Sequence, residues 1–285
     1  MKKVAALLVG INKYTGAPLN GCVNDVMITR DILVKKYKVP TSNIRMLTDY
    51  RATKQNIMSR LDWLVNTDAD IKFFWYSGHG AQYPNQDYTS DFEVDGQDEL
   101  ICPVDFDWEG TWIKDDDFAR YFSNVSGKIV AIFDCCHSGT MNRGSFKQEY
   151  IKPRAMPTPV DLLSRDSNIE LTSSMGLGNN IDDLFLDIDT PQTVNVPKIN
   201  NKLVYTIPDN LVIISGCKDN QTSVDVYIGG RYQGALSYAI QSSLIRNLSI
   251  NYDQLHNEVC RTLRRNRFTQ EPNLIGSDVS VPFLT

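Results

Sequence analysis

Two strand-like runs that each end abruptly in reactive residues constrain the fold of this chain more than any other feature. Lys128-Ile-Val-Ala-Ile-Phe-Asp134 is apolar and β-branched, and it stops at Cys135-Cys136-His137-Ser138-Gly139. Ile71-Lys-Phe-Phe-Trp-Tyr76 stops the same way, at Ser77-Gly78-His79-Gly80. Short apolar runs bounded by small and polar residues read as strands buried on both faces, the kind found in parallel sheets. Each run delivers its polar residues to a carboxyl end, the edge at which open α/β sheets bind ligands. A cysteine and a histidine arriving there from separate strands can work as nucleophile and base.

The pattern around these runs alternates. Strands are expected at Val4–Val9, Ile44–Leu47, Ile71–Tyr76, Glu99–Pro103 and Ile129–Phe133, and helices near Asn24–Lys36, Thr53–Val65 and Asp115–Phe122. Thr53 precedes an apolar periodicity through Ile57, Leu61 and Leu64, which predicts a capped amphipathic helix. Alternating elements of this kind imply a mainly parallel sheet with helices on both faces. Residues 141–206 break the pattern, being rich in Asn, Asp, Ser, Thr and Pro with scattered bases at Arg143, Lys147, Lys152, Arg154, Arg165 and Lys198. A long irregular segment inside a compact domain usually has a function. A strand at Leu211–Ser215 and helices at Gly234–Ile245 and Tyr252–Asn266 then resume the pattern. The expectation is one α/β domain over 1–285, with blocks 1–140 and 207–285 sharing a sheet and 141–206 inserted between them.

Composition excludes several classes. A net charge of −5 with no dominant Lys/Arg tract gives no reason to expect nucleic acid, and Arg261, Arg264, Arg265 and Arg267 read as a solvated helix face. No apolar stretch is long enough to span a bilayer. The opening Met1–Gly10 reads as a first strand rather than a leader, because its apolar run is short and no small-residue cleavage site follows. Six cysteines without a regular framework point to reduced thiols and a cytoplasmic home.

Further short pieces carry a family resemblance. They are Ala6-Leu-Leu-Val-Gly-Ile-Asn-Lys-Tyr14, Leu19-Asn-Gly-Cys-Val-Asn-Asp25, Tyr76-Ser-Gly-His-Gly80, Asp95-Gly-Gln-Asp-Glu99, Pro103-Val-Asp105 and Asp134-Cys-Cys-His-Ser-Gly139. The second block adds Ile214-Ser-Gly-Cys217, Gln221-Thr-Ser-Val-Asp225, Gly234-Ala-Leu-Ser237 and Gln270-Glu-Pro272. Taken in this order, the chain resembles the metacaspases and their bacterial relatives, the orthocaspases, within the caspase-like cysteine peptidases. The resemblance implies a caspase-like (caspase–hemoglobinase) α/β fold as a single domain. It also implies cleavage of protein substrates after Arg or Lys, and a monomer, since both blocks lie in one chain.

Residue roles follow. Cys136 is the expected nucleophile and His79 the base, which then protonates the leaving amine. His79 stands roughly fifty residues upstream, the caspase order. Cys135 competes as nucleophile; the resemblance implies that the cysteine directly before His-Ser-Gly, Cys136, has the role, and strand alternation points Cys135 to the opposite face. His137 is read as a motif neighbour and His256 as a packing residue. By resemblance, the backbone N–H groups of Gly80 and Cys136 form the oxyanion hole, and Cys22, Asp25, Ser77 and Asp134 line the pocket for the residue before the cut. Acids there call for a cation, and Arg pairs with carboxylates bidentately. Asp25 also reads as a helix N-cap, and Asp115-Asp116-Asp117 as acids at a helix start. The resemblance brings in calcium, which many members need. Asp98, Asp115 and Asp116 match the family's acidic site, while Arg143 stands where an aspartate is expected; no metal is assigned. Basic sites in 141–206 are candidates for self-cleavage. The competing readings are a catalytically silent caspase-like binding domain and a flavodoxin-like binding protein. The latter lacks a phosphate-cradling glycine loop after the first strand.

Overall fold

A computed structural model describes residues 2–84, 97–122, 125–136, 151–156, 159, 209–216 and 223–285. Strands β1 (Val4–Gly10), β2 (Ile44–Thr48), β3 (Ile71–Ser77), β7 (Lys128–Asp134), β9 (Leu211–Ser215) and β12 (Asn273–Gly276) form a six-stranded sheet in the order β12-β9-β7-β3-β1-β2. Its pairs are parallel except β12 with β9. The sheet therefore joins strands from both sides of the insertion.

The period of two in these strands sorts their side chains onto two faces. Ala6, Leu8, Phe73, Trp75, Val130 and Ile132 pack with helices α1 (Cys22–Lys35), α4 (Ala235–Arg246) and α5 (Tyr252–Arg265). Ala5, Leu7, Phe74, Tyr76, Ile129 and Ala131 pack with α2 (Lys54–Asn66) and α3 (Asp115–Phe122). Thr53 caps α2 as expected, its hydroxyl accepting from the Asn56 N–H at 3.2 Å. The acids Asp115, Asp116 and Asp117 form the first turn of α3, where the helix dipole favours them. The arginines at 261, 264, 265 and 267 are exposed.

Two small antiparallel sheets stand at the carboxyl edge of the main one. The first holds β4 (Gly80–Pro84), β5 (Gln97–Ile101) and β6 (Ile113–Lys114), in that order. The strand expected at Glu99–Pro103 is thus two residues earlier and belongs to this sheet, not to the parallel one. Only Gly78 and His79 separate β3 from β4, which leaves the main sheet and pairs antiparallel with β5. The second holds β8 (Ile151–Pro153), β10 (Val224–Ile228) and β11 (Arg231–Gly234), in the order β11-β10-β8. Part of the insertion is therefore strand. Arg143, Lys147, Arg165, Lys198, His137 and Cys217 lie outside the described residues.

Candidate active site

His79 and Cys136 follow the ends of neighbouring strands β3 and β7, whose register pairs Ser77 with Asp134. The His79 main chain is pinned on both sides. Its N–H donates to the Tyr14 hydroxyl at 3.0 Å, and its carbonyl accepts from the Tyr76 hydroxyl at 2.6 Å and the Cys102 N–H at 3.0 Å. The Tyr14 ring stands 4.6 Å from the imidazole, tilted by 56°. Nε2 lies 2.8 Å from the Ala17 carbonyl, which can only accept, so Nε2 carries the proton. Nδ1 is then a buried acceptor with no hydrogen-bond partner among the described residues. Burial lowers the His79 pKa to about 4, with the Ala17 carbonyl opposing and the Arg154 guanidinium assisting. The ring is neutral at physiological pH, as a base must be.

Cys135 and Cys136 diverge as strand alternation requires. Cys135 packs into the core beside α2 and α3, and burial pushes its thiol up. Cys136 packs against Ala155 and is fully buried. Its sulfur is disulfide-bonded and is in contact with the Ser223 N–H. This corrects the expectation of reduced thiols: irregular spacing argues against a disulfide framework but not against one pair meeting in the fold. Cys22, Cys102, Cys135 and Cys260 are free.

The pocket beside these residues is filled by the chain itself. Arg154 has no solvent exposure. Its Nη1 donates to Ser77 Oγ at 2.7 Å and pairs with Asp134 Oδ2 at 3.0 Å. Its Nη2 donates to Asp25 Oδ2 at 2.7 Å and to Asp225 Oδ1 at 2.9 Å. The acids are held in turn: Asp134 accepts from Ser223 Oγ, Ser237 N–H and Ser237 Oγ, and Asp25 from Ser77 Oγ and Gly234 N–H. Asp225 accepts from the N–H groups of Asn20 and Gly21. Burial raises the Asp25 carboxyl to about 7 against the pull of the Arg154 charge. Cys22 lies buried at the start of α1; burial pushes its thiol up and Arg154 opposes.

The main chain of Arg154 is held as firmly as its side chain. Its carbonyl oxygen accepts from the N–H of Gly80 at 3.0 Å and of Cys136 at 3.2 Å. Its N–H donates to the Ser223 carbonyl at 3.0 Å, which extends the pairing of β8 with β10. An arginyl residue thus lies with its carbonyl between two donors, beside the sulfur, and its guanidinium among three carboxylates.

All the site residues expected from sequence meet here. Asp225, Ser223, Ser237, Ala17, Tyr14 and the occupant Arg154 were not assigned to the site. Tyr14, Ser223, Asp225 and Ser237 carried a signal as members of the family-like motifs; Ala17 and Arg154 carried none. His256 is remote, with its Nε2 at 2.8 Å from the Pro272 carbonyl.

The acidic positions are near one another, since Asp116, Glu99 and Asp98 help burial raise Asp115 to about 7. Lys114 ion-pairs with Asp98, and among the described residues no three His, Cys, Asp or Glu side chains converge as a cage. Nor is any helix among the described residues long and apolar enough to cross a membrane.

Comparison with known proteins places this geometry. A model of the metacaspase peptidase C14 domain matches residues 3–143. Metacaspase-1 of Schizosaccharomyces pombe is 33% identical over 95% of this chain and 67% of its own length. Metacaspase-1B of Neurospora crassa is 36% identical over 94% of this chain and 65% of its own length. Metacaspase-1A of Aspergillus oryzae is 33% identical, over 98% and 70% respectively. The chain therefore spans about two thirds of the curated relatives it matches. The crystal structure of protein GSU0716 from Geobacter sulfurreducens superposes with a TM-score of 0.63, covering 96% of this chain and 93% of that one at 24% identity, a likeness of fold. With relatives this similar over nearly its whole length and the paired strand ends of a caspase-like sheet, the chain belongs to the metacaspase family, the cysteine-type endopeptidases of family C14.

Proposed function

We propose that this chain hydrolyses peptide bonds after Arg or Lys with Cys136 as nucleophile and His79 as base, and that its first substrate is its own Arg154–Ala155 bond. The observation that carries this reading is Arg154, seated in the acidic pocket with its carbonyl on the N–H groups of Gly80 and Cys136.

The chemistry follows from the contacts. Once Cys136 is reduced, neutral His79 takes the thiol proton and the sulfur adds to the Arg154 carbonyl carbon. Negative charge develops on the oxygen that Gly80 and Cys136 already hold, and each such donor is worth about 3 kcal/mol in the transition state. The C–N bond breaks as the imidazolium gives its proton to the Ala155 nitrogen, leaving a thioester. Water, deprotonated by His79, attacks the thioester; the thiol returns and Arg154 becomes a carboxylate. Selectivity for a cation rests on Asp25, Asp134 and Asp225. With no solvent to share the charge, an uncharged or acidic side chain there leaves buried carboxylates unpaired. Aspartate before the cut is excluded on that ground.

The absence of a basic tract supports protein rather than nucleic-acid partners. We read the working form as a cytoplasmic monomer, with both blocks of the sheet supplied by one chain.

The test is incubation of the reduced protein beside its Cys136→Ala variant. A new amino terminus at Ala155, with Arg but not Asp peptides turned over, supports the reading. No cut and no peptide turnover by folded, reduced protein returns the chain to the silent-domain alternative.

A further inference from the structure

The segment in the cleft continues past Arg154, and its contacts after the Arg154–Ala155 bond are as regular as those before it. Gly80 makes both ends of the clamp. Its N–H donates to the Arg154 carbonyl at 3.0 Å, and its carbonyl accepts from the Met156 N–H at 2.8 Å. Between these bonds Ala155 and Gly80 form a parallel β-bridge. Gly80 is itself fixed, because it opens β4 and pairs with Ile101 of β5. The residue after the cut is thus added to the edge of the β4-β5-β6 sheet, while Ile151–Pro153 before the cut add to the edge of the β10-β11 sheet. An extended segment bridges two sheet edges, with the scissile bond at the crossing.

The side chains report the size and polarity of the places they fill. Ala155 is 5% exposed and packs against Cys136, leaving little room for a larger group. Met156 packs against the apolar cluster that includes Ala81, Leu100 and Ile113 of the same small sheet. We infer that the cleft reads its substrates on both sides of the cut: beyond the basic residue it takes a small residue directly after the bond and an apolar residue next, held by Gly80 as a strand. This inference rests on the peptidase reading above. Its substrate class is an extended segment of the form Arg-small-apolar, which excludes substrates with a bulky residue after the arginine. Main-chain pairing supplies the hold, and the side-chain places supply the selection, as in other cases where a peptide extends a sheet edge.

The experiment uses the reduced full-length chain and internally quenched peptides built on Ile-Lys-Pro-Arg-Ala-Met. One series replaces the Ala after Arg by Ser, Val and Trp. A second replaces the Met by Leu and Asp. All residues up to Arg stay constant. Trp in place of Ala is expected to lower kcat/KM roughly tenfold or more, as overfilling a packed place does, with Ser nearly neutral. Asp in place of Met is expected to lower it, and Leu to preserve it. An Arg-bearing thiol-reactive peptide that ends at the cut, tried in parallel, labels Cys136 whatever follows the cut. Labelling with all peptides cut at rates within twofold overturns the inference and leaves the peptidase reading standing. No labelling and no cutting overturns both.

Discussion

Gly234 lies so close to Arg154 that a Cβ placed on it would stand 2.4 Å from Nη1, and 2.0 Å from Asp134 Oδ2. The glycine is therefore the wall of the acidic pocket. Gly234→Ala is expected to lower kcat/KM for Arg peptides by roughly ten- to a hundredfold, the usual range for overpacking a filled site. The check is steady-state kinetics beside a melting curve. Full activity in this variant would show that the pocket does not hold the substrate cation.

Removing one acid of the three should cost selectivity. Asp225→Ala deletes a carboxylate that pairs with Arg154 at 2.9 Å and leaves the N–H groups of Asn20 and Gly21 without their acceptor. Breaking one partner of a buried ion pair typically costs about 3–5 kcal/mol. Turnover of Arg peptides is expected to fall by at least a hundredfold, with kcat/KM as the readout.

Activity should rise with pH through neutrality. Burial lifts Asp25 to about 7, so below that pH it is mostly protonated and pairs less well with a guanidinium. Its ionised form, which binds the cation, fills as pH rises through about 7. The kcat/KM profile for Arg peptides is expected to climb between pH 6 and pH 8. In Asp25→Asn the climb should flatten and the plateau should drop. An unchanged profile in that variant would assign the limb to another group.

Activity should also wait on reduction. Cys136 carries a disulfide, and a sulfur bonded to a second sulfur cannot form the thiolate that attacks. Peptide turnover is expected to be absent without a reductant and to appear when one is added. Counting free thiols by mass, before and after, ties the gain to this residue.

Cleavage at Arg154 should be first order in protein. The bond is already in the cleft, so the rate constant is expected to stay the same over a hundredfold dilution. Intact-mass time courses at two concentrations check this. A rate that falls in proportion to concentration would mean that one molecule cuts another.

The parts of this architecture that were legible in the sequence are those that local pattern controls. β3 announces itself as an aromatic run and β7 as a β-branched one, each with small or polar residues at its end, and Cys135 and Cys136 separate by simple alternation. The two small sheets were not legible. β8 is Ile-Lys-Pro, three residues with no period and a proline that argues against a strand. It is tolerated because ladder bonds alternate: the Arg154 N–H is used, so Pro153 sits where no donor is required. Asp225 was visible as part of a motif, but its place in the pocket depends on β10 lying beside β8, a pairing remote in sequence. Arg154 was one of six scattered bases, and only the fold distinguishes it. The Cys136 disulfide was missed for the same reason: proximity in space leaves no spacing signature.

The covalent path from Cys136 to Arg154 runs through residues 137–153, upstream of the bond to be cut. Hydrolysis of that bond therefore does not release the arginine. It leaves a carboxyl terminus tied to the strand that carries the nucleophile, facing the pocket it came from. A tether this short holds its end at a local concentration of about millimolar, whatever the dilution of the protein. Every incoming substrate then competes with a captive product, and the measured KM reports that contest rather than the affinity of an empty cleft.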